Sequence, residues 1–377
     1  MPKIEIKTID TRKLLKSYIR LPFKLHQLHA NWVPPLLYDE KRYYNKKYNS
    51  AFAYCDTIMA LAYKDNVPVG RIMGIINKKY NDHYKIKEAR FSYLESIEDY
   101  DVTAALLSFL EKWAKDKGMQ KLIGPYGMTY FDPEGMLFEG YEHPVTINTD
   151  YSFPFILDYL KNYGFEKKHD YVVYKIEVPN EMPEFYIKIA EFTKNKGYEI
   201  ISLKSWKDIK QEIVPVFQLM NICFKEIFGF SEMSTEEMVK LANQYGAVID
   251  PDLLKIIKKD GQTIAFIVGM PNISQTLIKC NGKLFPFGIF HLKKALKKSR
   301  QLDLLLGGIH PDYQRRGIDS ILALEMLKSA IKKGYKIIDT HSELENNHKV
   351  RAEMEKIGGK VYKRYRVFEK ILDTVST

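Results

Sequence analysis

The sequence predicts an α/β fold built from two tandem copies of one unit, each a mixed, mostly antiparallel sheet flanked by helices. Residues 64–75 and 259–270 each predict a strand, a tight Asp-Asn or Asp-Gly turn and a second strand. Residues 163–174 and 357–368 each predict a glycine-capped helix end followed by a strand with alternating apolar residues.

A third recurrence lies between these two, as a helix, a glycine stop and a strand at residues 104–123 and again at 322–338. The two occurrences of this match are about 22 residues farther apart in the sequence than those of the other two matches. The second copy therefore has extra residues before this helix, at 272–301, and the first copy has extra residues after the equivalent helix, at 124–151. Three matches in one order indicate an internal duplication. Two unrelated α/β domains are the alternative.

A polar joint at residues 179–183, with a proline at each end, predicts the boundary between domains of residues 1–178 and 179–377. A chain of 377 residues is long enough for each domain to bury its own core. In the second domain we expect a strand at 198–203, a helix at 208–227, another helix after the Ser-x-x-Glu capping box at Ser234, and a hairpin at 253–270.

Composition is that of an ordinary globular protein, with 45% apolar and 28% charged residues. No apolar run approaches the ~20 residues of a membrane-spanning helix, and the first residues lack the apolar core of a signal peptide. We therefore expect a cytoplasmic protein without membrane insertion. The three cysteines are far apart, which predicts neither a disulfide framework nor a metal site.

The net charge of +11 is concentrated in the second half. Residues 1–178 contain 26 basic and 23 acidic residues, whereas residues 179–377 contain 32 and 24. A basic half favours an anionic ligand or partner, such as a nucleotide cofactor, an acidic carrier protein or RNA. A solvated basic face is the alternative.

The most informative segment is residues 308–319, which follow an apolar strand at 302–306 and precede an amphipathic helix. A basic, glycine-bearing turn from strand to helix exposes backbone N–H groups in front of the positive helix end. Such a turn predicts a site for a phosphate or pyrophosphate. Gly317 allows the backbone an unusual φ, and Arg315 and Arg316 add charge unless they are merely solvated.

This order of elements, with its turn, resembles the GNAT superfamily of acyl-CoA-dependent N-acyltransferases. Residues 314–319 match the family's Gln/Arg-x-x-Gly-x-Gly/Ala turn, after the usual Pro-x-Tyr at 311–313. Residues 347–359 resemble its Asn-x-x-Ala-x-x-Leu-Tyr-x-x-x-Gly-Phe segment. The motifs cover the second half, and the repeat extends the resemblance to a tandem-GNAT protein.

The resemblance implies acetyl-CoA or another acyl-CoA as co-substrate, no metal, and a small-molecule or peptide amine as acceptor. It also implies two splayed strands that hold the pantetheine arm, with catalysis by positioning and oxyanion stabilisation. The residues that it implies for cofactor binding are Ile309, Tyr313, Gln314, Arg315, Arg316, Gly317, Ile318, Asp319 and Asn347.

Two residues depart from the family pattern. Asp319 stands where Gly or Ala is preferred, and a carboxylate ~4 Å from the pyrophosphate would cost about 1 kcal/mol in water. We expect Asp319 to point sideways and to cap a helix that begins at Ser320. Met354 stands where a tyrosine often serves as general acid, and methionine cannot donate a proton.

Tyr365 is therefore the predicted general acid, with Tyr362 as the alternative, although packing in the sheet explains either residue equally well. Glu345 is the predicted general base, and Glu343 is the alternative. Both glutamates follow the strand 336–339, where this fold has its acceptor site.

The first copy has an acidic segment without glycine, residues 96–103, at the position of the phosphate turn. We therefore expect it to be non-catalytic, to support the second copy and to wall off the acceptor site. The aromatic stretch 126–135 is expected either to reach the cleft between the copies or to be a packed loop.

Three functions remain open. The first is an N-acyltransferase that uses an acyl-CoA or a related pantetheine thioester. The second is a Fem-like or carrier-fed transferase that uses aminoacyl-tRNA or acyl carrier protein, which the basic charge and the insertion at 272–301 favour. The third is a CoA-binding or scaffold protein without catalysis.

Overall fold

The described strands form one continuous sheet in the computed structural model, which describes residues 3–372 except 148, 195, 246–248, 284–291, 293 and 295. The order across the sheet is β1-β2-β3-β4-β5-β13-β7-β12-β11-β10-β9-β8, and β6 pairs with β13. The strands are β1 (Ile4–Thr8), β2 (Cys55–Lys64), β3 (Val67–Asn77), β4 (Glu88–Ser96), β5 (Lys121–Gly124), β6 (Met136–Glu139), β7 (Glu166–Glu177), β8 (Glu199–Ile200), β9 (Leu254–Lys259), β10 (Gln262–Pro271), β11 (Gln301–Ile309), β12 (Ile337–Leu344) and β13 (Lys360–Ile371).

Helices pack on the sheet in both halves of the chain. The described helices are α1 (Arg12–Leu25), α2 (Leu37–Tyr43), α3 (Lys78–Tyr84), α4 (Tyr100–Asp116), α5 (Pro154–Asn162), α6 (Glu184–Lys194), α7 (Trp206–Phe224), α8 (Thr235–Tyr245), α9 (Ser274–Cys280), α10 (Ile318–Lys333) and α11 (His348–Lys356). None of the helices in the described ranges is long and apolar enough to cross a membrane.

The predicted fold class is confirmed, because every described strand pair is antiparallel except β4–β5 and β11–β12. The repeated strand–turn–strand passages are the hairpins β2–β3 and β9–β10. Their turn residues Asp65, Asn66 and Asp260 have φ of 51°, 62° and 50°, a conformation that Asn and Asp tolerate better than most residues.

The capping box before α8 is also confirmed, since the Ser234 hydroxyl accepts from the Glu237 N–H and the Glu237 carboxylate accepts from the Ser234 N–H. The strand expected at 198–203 is much shorter, because only the two residues of β8 pair with β9.

The two halves exchange their last strands. β7, which ends the first half, pairs with β12 and β13, whereas β13 pairs with β5 of the first half. Phe368 and Leu372 therefore belong to the hydrophobic core of the first half, together with Leu106 and Leu110 of α4. The two expected sheets are consequently joined into one, and the boundary at residue 178 stays a prediction.

Each parallel strand pair separates after three residues. β4 and β5 pair from Glu88↔Lys121 to Arg90↔Ile123, and β11 and β12 pair from Gln301↔Ile337 to Asp303↔Asp339. Beyond these points β4 pairs only with β3, and β11 pairs only with β10. The two halves thus contain equivalent openings, one in each copy of the repeat.

The aromatic stretch 126–135 extends from the first half into the second. Tyr130 and Phe131 pack in the core cluster of the second half, which includes Phe224 of α7 and Phe230. The stretch is therefore packed against the second half, and its expected position in a cleft between the copies stays a prediction.

We predict that Phe368→Ala destabilises the first half, because the truncated side chain leaves a cavity in that core at a cost of about 3–5 kcal/mol. Hydrogen exchange with mass spectrometry should show lost protection in α4, which is far from Phe368 in the sequence. Ile371→Ala is the control, since Ile371 lies on the same strand with 66% of its surface exposed. Unchanged protection of α4 in Phe368→Ala would contradict the strand exchange.

Candidate functional site

The turn between β11 and α10 presents unpaired backbone N–H groups. The His310 N–H donates to the Ile264 carbonyl at 2.8 Å and holds the turn on the sheet. Arg315 and Gly317 have φ of 60° and 82°, and no side chain caps α10. Because alternating left-handed residues orient successive N–H groups toward one point, the turn and the helix N-terminus form a concave anion site.

The predicted capping role of Asp319 is wrong. The helix begins at Ile318, and Gly317 occupies the N-cap position because its positive φ turns the chain into the helix two residues earlier than expected. Asp319 lies in the first turn, where the helix dipole favours a carboxylate. Burial raises the pKa of Tyr186 and of Glu353, and the charge of Asp319 raises each of them further. Asp319 therefore lies near α6 and α11.

Some of the other predicted residues stabilise the turn by contacts within it, and some present exposed polar groups. The Gln314 side chain donates to the Ile309 carbonyl at 3.3 Å, and the Arg316 guanidinium lies 5.4 Å from the centre of the Tyr313 ring. Ile318 is fully buried, so only its backbone reaches the ligand side. Arg315 and Arg316 are exposed and present positive charge beside the unpaired N–H groups.

Three partly buried leucines, Leu304 to Leu306, follow the last β11–β12 pair at an opening that we call the β11–β12 cleft. Val268 and Gly269 pair with Leu306 and Leu304, so Leu305 is an extra, unpaired residue. A β-bulge of this kind redirects the backbone. Leu304 and Leu306 accordingly pack against two different core clusters, the first with α10 and the second with α7.

A buried polar network closes the base of the cleft. Asp303 and Asp339 are the last paired residues and are 1% and 0% exposed. The Lys363 ammonium lies 3.7 Å from Asp339, which also accepts from the Tyr362 hydroxyl. Asn272 donates to Asp303 at 2.7 Å. Burial and the charge of Asp339 raise the pKa of Asp303 to about 8, so this carboxyl is protonated at neutral pH.

His341 is held as a neutral structural group. Its Nδ1 accepts from the Ser342 N–H at 2.9 Å, so Nε2 has the proton and donates to the Ile147 carbonyl at 3.0 Å. Burial lowers its pKa further. Both ring nitrogens are occupied, which excludes His341 as a free base.

The geometry separates the two glutamates that the sequence left as candidate bases. The Glu345 carboxylate accepts from Lys167 at 3.0 Å and from Arg364 at 2.9 Å, and it belongs to a surface ionic network. Glu343 has no hydrogen bond or ion pair with any residue in the described part of the chain. Burial, and then the charge of Glu353, raises the pKa of Glu343 to about 7.

Glu343 lies on the part of β12 that no longer pairs with β11. Its charge contributes to the raised pKa of Tyr130, after burial and the charge of Glu134. Glu343 is therefore close to the stretch that crosses from the first half. The sequence favoured Glu345, because the partners of that carboxylate, Lys167 and Arg364, lie on two other strands and are not evident from local sequence.

The remaining predicted residues are less accessible. Tyr365 on β13 is fully buried, and its hydroxyl has no hydrogen bond of good geometry with a described residue. The Asn347 side chain caps α11 by accepting from the Val350 N–H at 3.5 Å. Within the described ranges, no group of three or more His, Cys, Asp and Glu side chains is placed to hold a metal ion.

In the first half, α4 begins at Tyr100 directly after β4, with Asp99 as its N-cap accepting from the Asp101 N–H at 3.0 Å. A carboxylate thus fills the position that would receive a phosphate. The first copy thus has an acidic N-cap at this position, where the second copy has Gly317.

No family model matches the chain. Protein YghO of Escherichia coli K12 is 26% identical over 373 residues, which cover 97% of this chain and 95% of YghO. The bacterial ceramide synthase of Caulobacter vibrioides is 25% identical over 376 residues, which cover 97% of this chain and 96% of that protein.

Solved structures are similar over nearly the whole chain. A tandem GNAT protein from the clavulanic acid biosynthesis pathway has a TM-score of 0.58 at 11% identity, over 98% of this chain and 99% of its own. A GCN5-related N-acetyltransferase from Sphaerobacter thermophilus has a TM-score of 0.51 at 10% identity, over 98% and 96%. This chain therefore has the fold of these GNAT proteins.

Proposed function

We propose that the protein is an N-acyltransferase that moves an acyl group from an acyl-CoA to a primary amine. The observation that supports this most directly is the 315–318 turn, whose N–H groups have no partner among the described residues, next to the β11–β12 cleft. An anion site beside an opening in the sheet suits a donor with a pyrophosphate at one end and an acyl chain at the other.

The residues of the turn fit the donor's charged end. The backbone at Gly317 and Ile318 would hold the pyrophosphate, and Arg315 and Arg316 would add charge. Asp319 is close to Tyr186 and Glu353, so its carboxylate need not face the phosphates. A bound thioester supplies the activated acyl group, and the protein's own groups orient it and move the protons.

Glu343 replaces Glu345 as the proposed general base. An amine acceptor arrives as an ammonium ion and must lose a proton before it attacks. A general base works best when its pKa is near the working pH, and burial raises the pKa of Glu343 to about 7. Glu343 also has no described partner that must be displaced, whereas Glu345 is held by Lys167 and Arg364.

The relatives narrow the substrates to be tested first. A ceramide is the amide of a fatty acid with a long-chain amino alcohol, and the relative described as a bacterial ceramide synthase is similar over 97% of this chain. We therefore propose a fatty acyl-CoA as donor and a long-chain amino alcohol as acceptor. None of the comparisons favours tRNA or an acyl carrier protein as donor.

The test is amide formation, followed by mass spectrometry, with acetyl-, octanoyl- and palmitoyl-CoA against sphinganine, hexylamine and a lysine-containing peptide. We expect one amide and an equal amount of free CoA. Binding of a CoA ester without any amide would favour the non-catalytic CoA-binding protein. If no CoA ester binds and no amide forms, the proposal is contradicted.

We predict that Gly317→Ala raises the KM for acyl-CoA about tenfold. A side chain at φ of 82° costs about 1 kcal/mol and shifts the N–H groups of the turn. Gly334→Ala is the matched control, because Gly334 has φ of 76° at the other end of the same helix, with open space around it. Steady-state kinetics should show the KM change only in Gly317→Ala. Equal changes in both variants would exclude the turn as the donor site.

We predict that Glu343→Gln lowers kcat by about 100-fold or more, since a general base contributes about that much. The KM for acyl-CoA should stay within about twofold, because the substitution lies outside the phosphate turn. Glu345→Gln is the control and should retain most of the wild-type kcat. The reverse order of the two variants would restore Glu345 as the base.

The stability of Glu343→Gln should depend on pH in a defined direction. The pKa of Glu343 is about 7 in the folded protein, above its pKa in the unfolded chain. The contribution of this carboxyl to stability is therefore fully present at a pH below the unfolded pKa, and it is lost as the pH rises to about 7. Glu343→Gln should therefore unfold in urea like the wild type at pH 4 and be more stable at pH 8. Glu345→Gln should be less stable at pH 8, because it loses two ion pairs.

A further inference from the structure

The opening between β4 and β5 in the first half contains a cluster of tyrosines and carboxylates, which we call the first-half pocket. Tyr93 and Glu95 lie on β4 beyond its last pair with β5. Glu40 and Tyr44 come from α2 and its C-cap, four residues apart, so both face the same side of that helix. Asp132 and Asp150 come from segments that follow β5.

Aromatic rings form one wall of this pocket. The ring of Tyr44 lies 5.0 Å from that of Tyr43, 5.4 Å from that of Tyr18 and 5.8 Å from that of Tyr93, between centroids, and all three are edge-on contacts. The Tyr43 hydroxyl donates to Asp132 at 3.0 Å. Rings in this arrangement present both apolar surface and phenolic oxygens to the same space.

The carboxylates converge on Tyr93. Burial and the neighbouring Tyr43 are the largest causes of the raised pKa of Tyr93. The charges of Asp132, Glu40 and Asp150 raise this pKa further. The three acids therefore lie in the neighbourhood of Tyr93, although they are far apart in the sequence.

The acids of the pocket outnumber its cations. Arg71 is paired with Glu95 at 2.6 Å, and Glu95 also contacts His26 at 3.1 Å. Glu40, Asp132 and Asp150 have no ion pair with a described residue. Burial raises the pKa of Glu40 to about 7 and that of Asp132 to about 6. Three carboxyls without a counter-ion are costly at neutral pH unless a cation accompanies them.

The Tyr44 hydroxyl provides a second observation. Tyr44 is 4% exposed, and its oxygen has no hydrogen bond of good geometry with any residue of the described ranges. The charge of Glu40 is the largest influence on its pKa after burial, so the hydroxyl is directed into the same cluster. A buried hydroxyl without a partner destabilises the fold, and a bound donor would remove that cost.

The pocket is also open to solvent. Asp150 is exposed, whereas Glu40, Asp132 and Tyr93 are partly buried. The acids are not placed as ligands of a single metal ion, since no such group occurs among the described residues. Aromatic rings beside dispersed carboxylates suit an organic cation better than an inorganic one.

We propose that the first-half pocket binds an organic cation with a primary ammonium group, at a site separate from the β11–β12 cleft. The ammonium donates to the carboxylates and to the Tyr44 oxygen, and its carbon chain packs on the tyrosine rings. The opening that holds an anion in the second half thus holds a cation in the first, where Asp99 closes the helix N-terminus to phosphate. The inference does not depend on acyl transfer.

The test is isothermal titration calorimetry of the full chain with hexylammonium and with its neutral counterpart 1-hexanol, at pH 8 and without acyl-CoA. We expect saturable binding of hexylammonium and none of 1-hexanol. Asp150→Asn and Tyr44→Phe should each weaken binding about tenfold, because each removes one acceptor. Asp158→Asn is the control, since Asp158 is 72% exposed and pairs only with Lys161.

Two further measurements decide the outcome. Thermal unfolding should show that Asp150→Asn and Tyr44→Phe are at least as stable as the wild type. Tyr44→Phe removes a buried hydroxyl without a partner among the described residues, and Asp150→Asn removes one of the neighbouring negative charges. Glu343→Gln should bind hexylammonium as the wild type does. The proposal is overturned if hexylammonium does not bind, if 1-hexanol binds equally well, or if Glu343→Gln alone abolishes binding.

Discussion

The structure depends on the pairing of β13 with both β5 and β7. This strand, the last of the chain, lies between two strands of the first half and contributes Phe368 to the first half's core. In exchange, β7 lies beside β12 and forms one wall of the second half. Neither half has a complete sheet without the other. Both openings are therefore held by the same pair of exchanged strands, which explains how side chains from the first half come close to Glu343.

The two openings have the same backbone plan and opposite charge. In the second half, a turn with two exposed arginines precedes the helix next to the opening. In the first half, Asp99 caps the helix, and carboxylates and tyrosines lie near the opening. In both halves a parallel strand pair separates after three paired residues. The side chains at the helix N-terminus and on the adjacent loops give the two openings their opposite charge.

Carboxyl groups with a raised pKa lie near both openings and between them. Glu343 faces Tyr130, whose pKa also responds to Glu134, and Asp132 and Asp150 continue the series into the first half. Each such group destabilises the fold at neutral pH because burial favours its uncharged form. These carboxyl groups are concentrated in a chain whose net charge is +11. The destabilisation that they cause is explained by a role in ligand binding and not by packing.

The sequence by itself determined the local structure. The Asp-Asn and Asp-Gly turns, the capping box at Ser234 and the turn at Gly317 depend on the φ preferences and hydrogen-bonding groups of neighbouring residues, so they were predictable. Only the tertiary structure decided the strand exchange, the surroundings of Asp319 and the different surroundings of Glu343 and Glu345. These depend on pairings between residues distant in the chain, such as Glu345 with Lys167, 178 positions apart. Local patterns contain no information on which of two similar carboxylates will find such a partner.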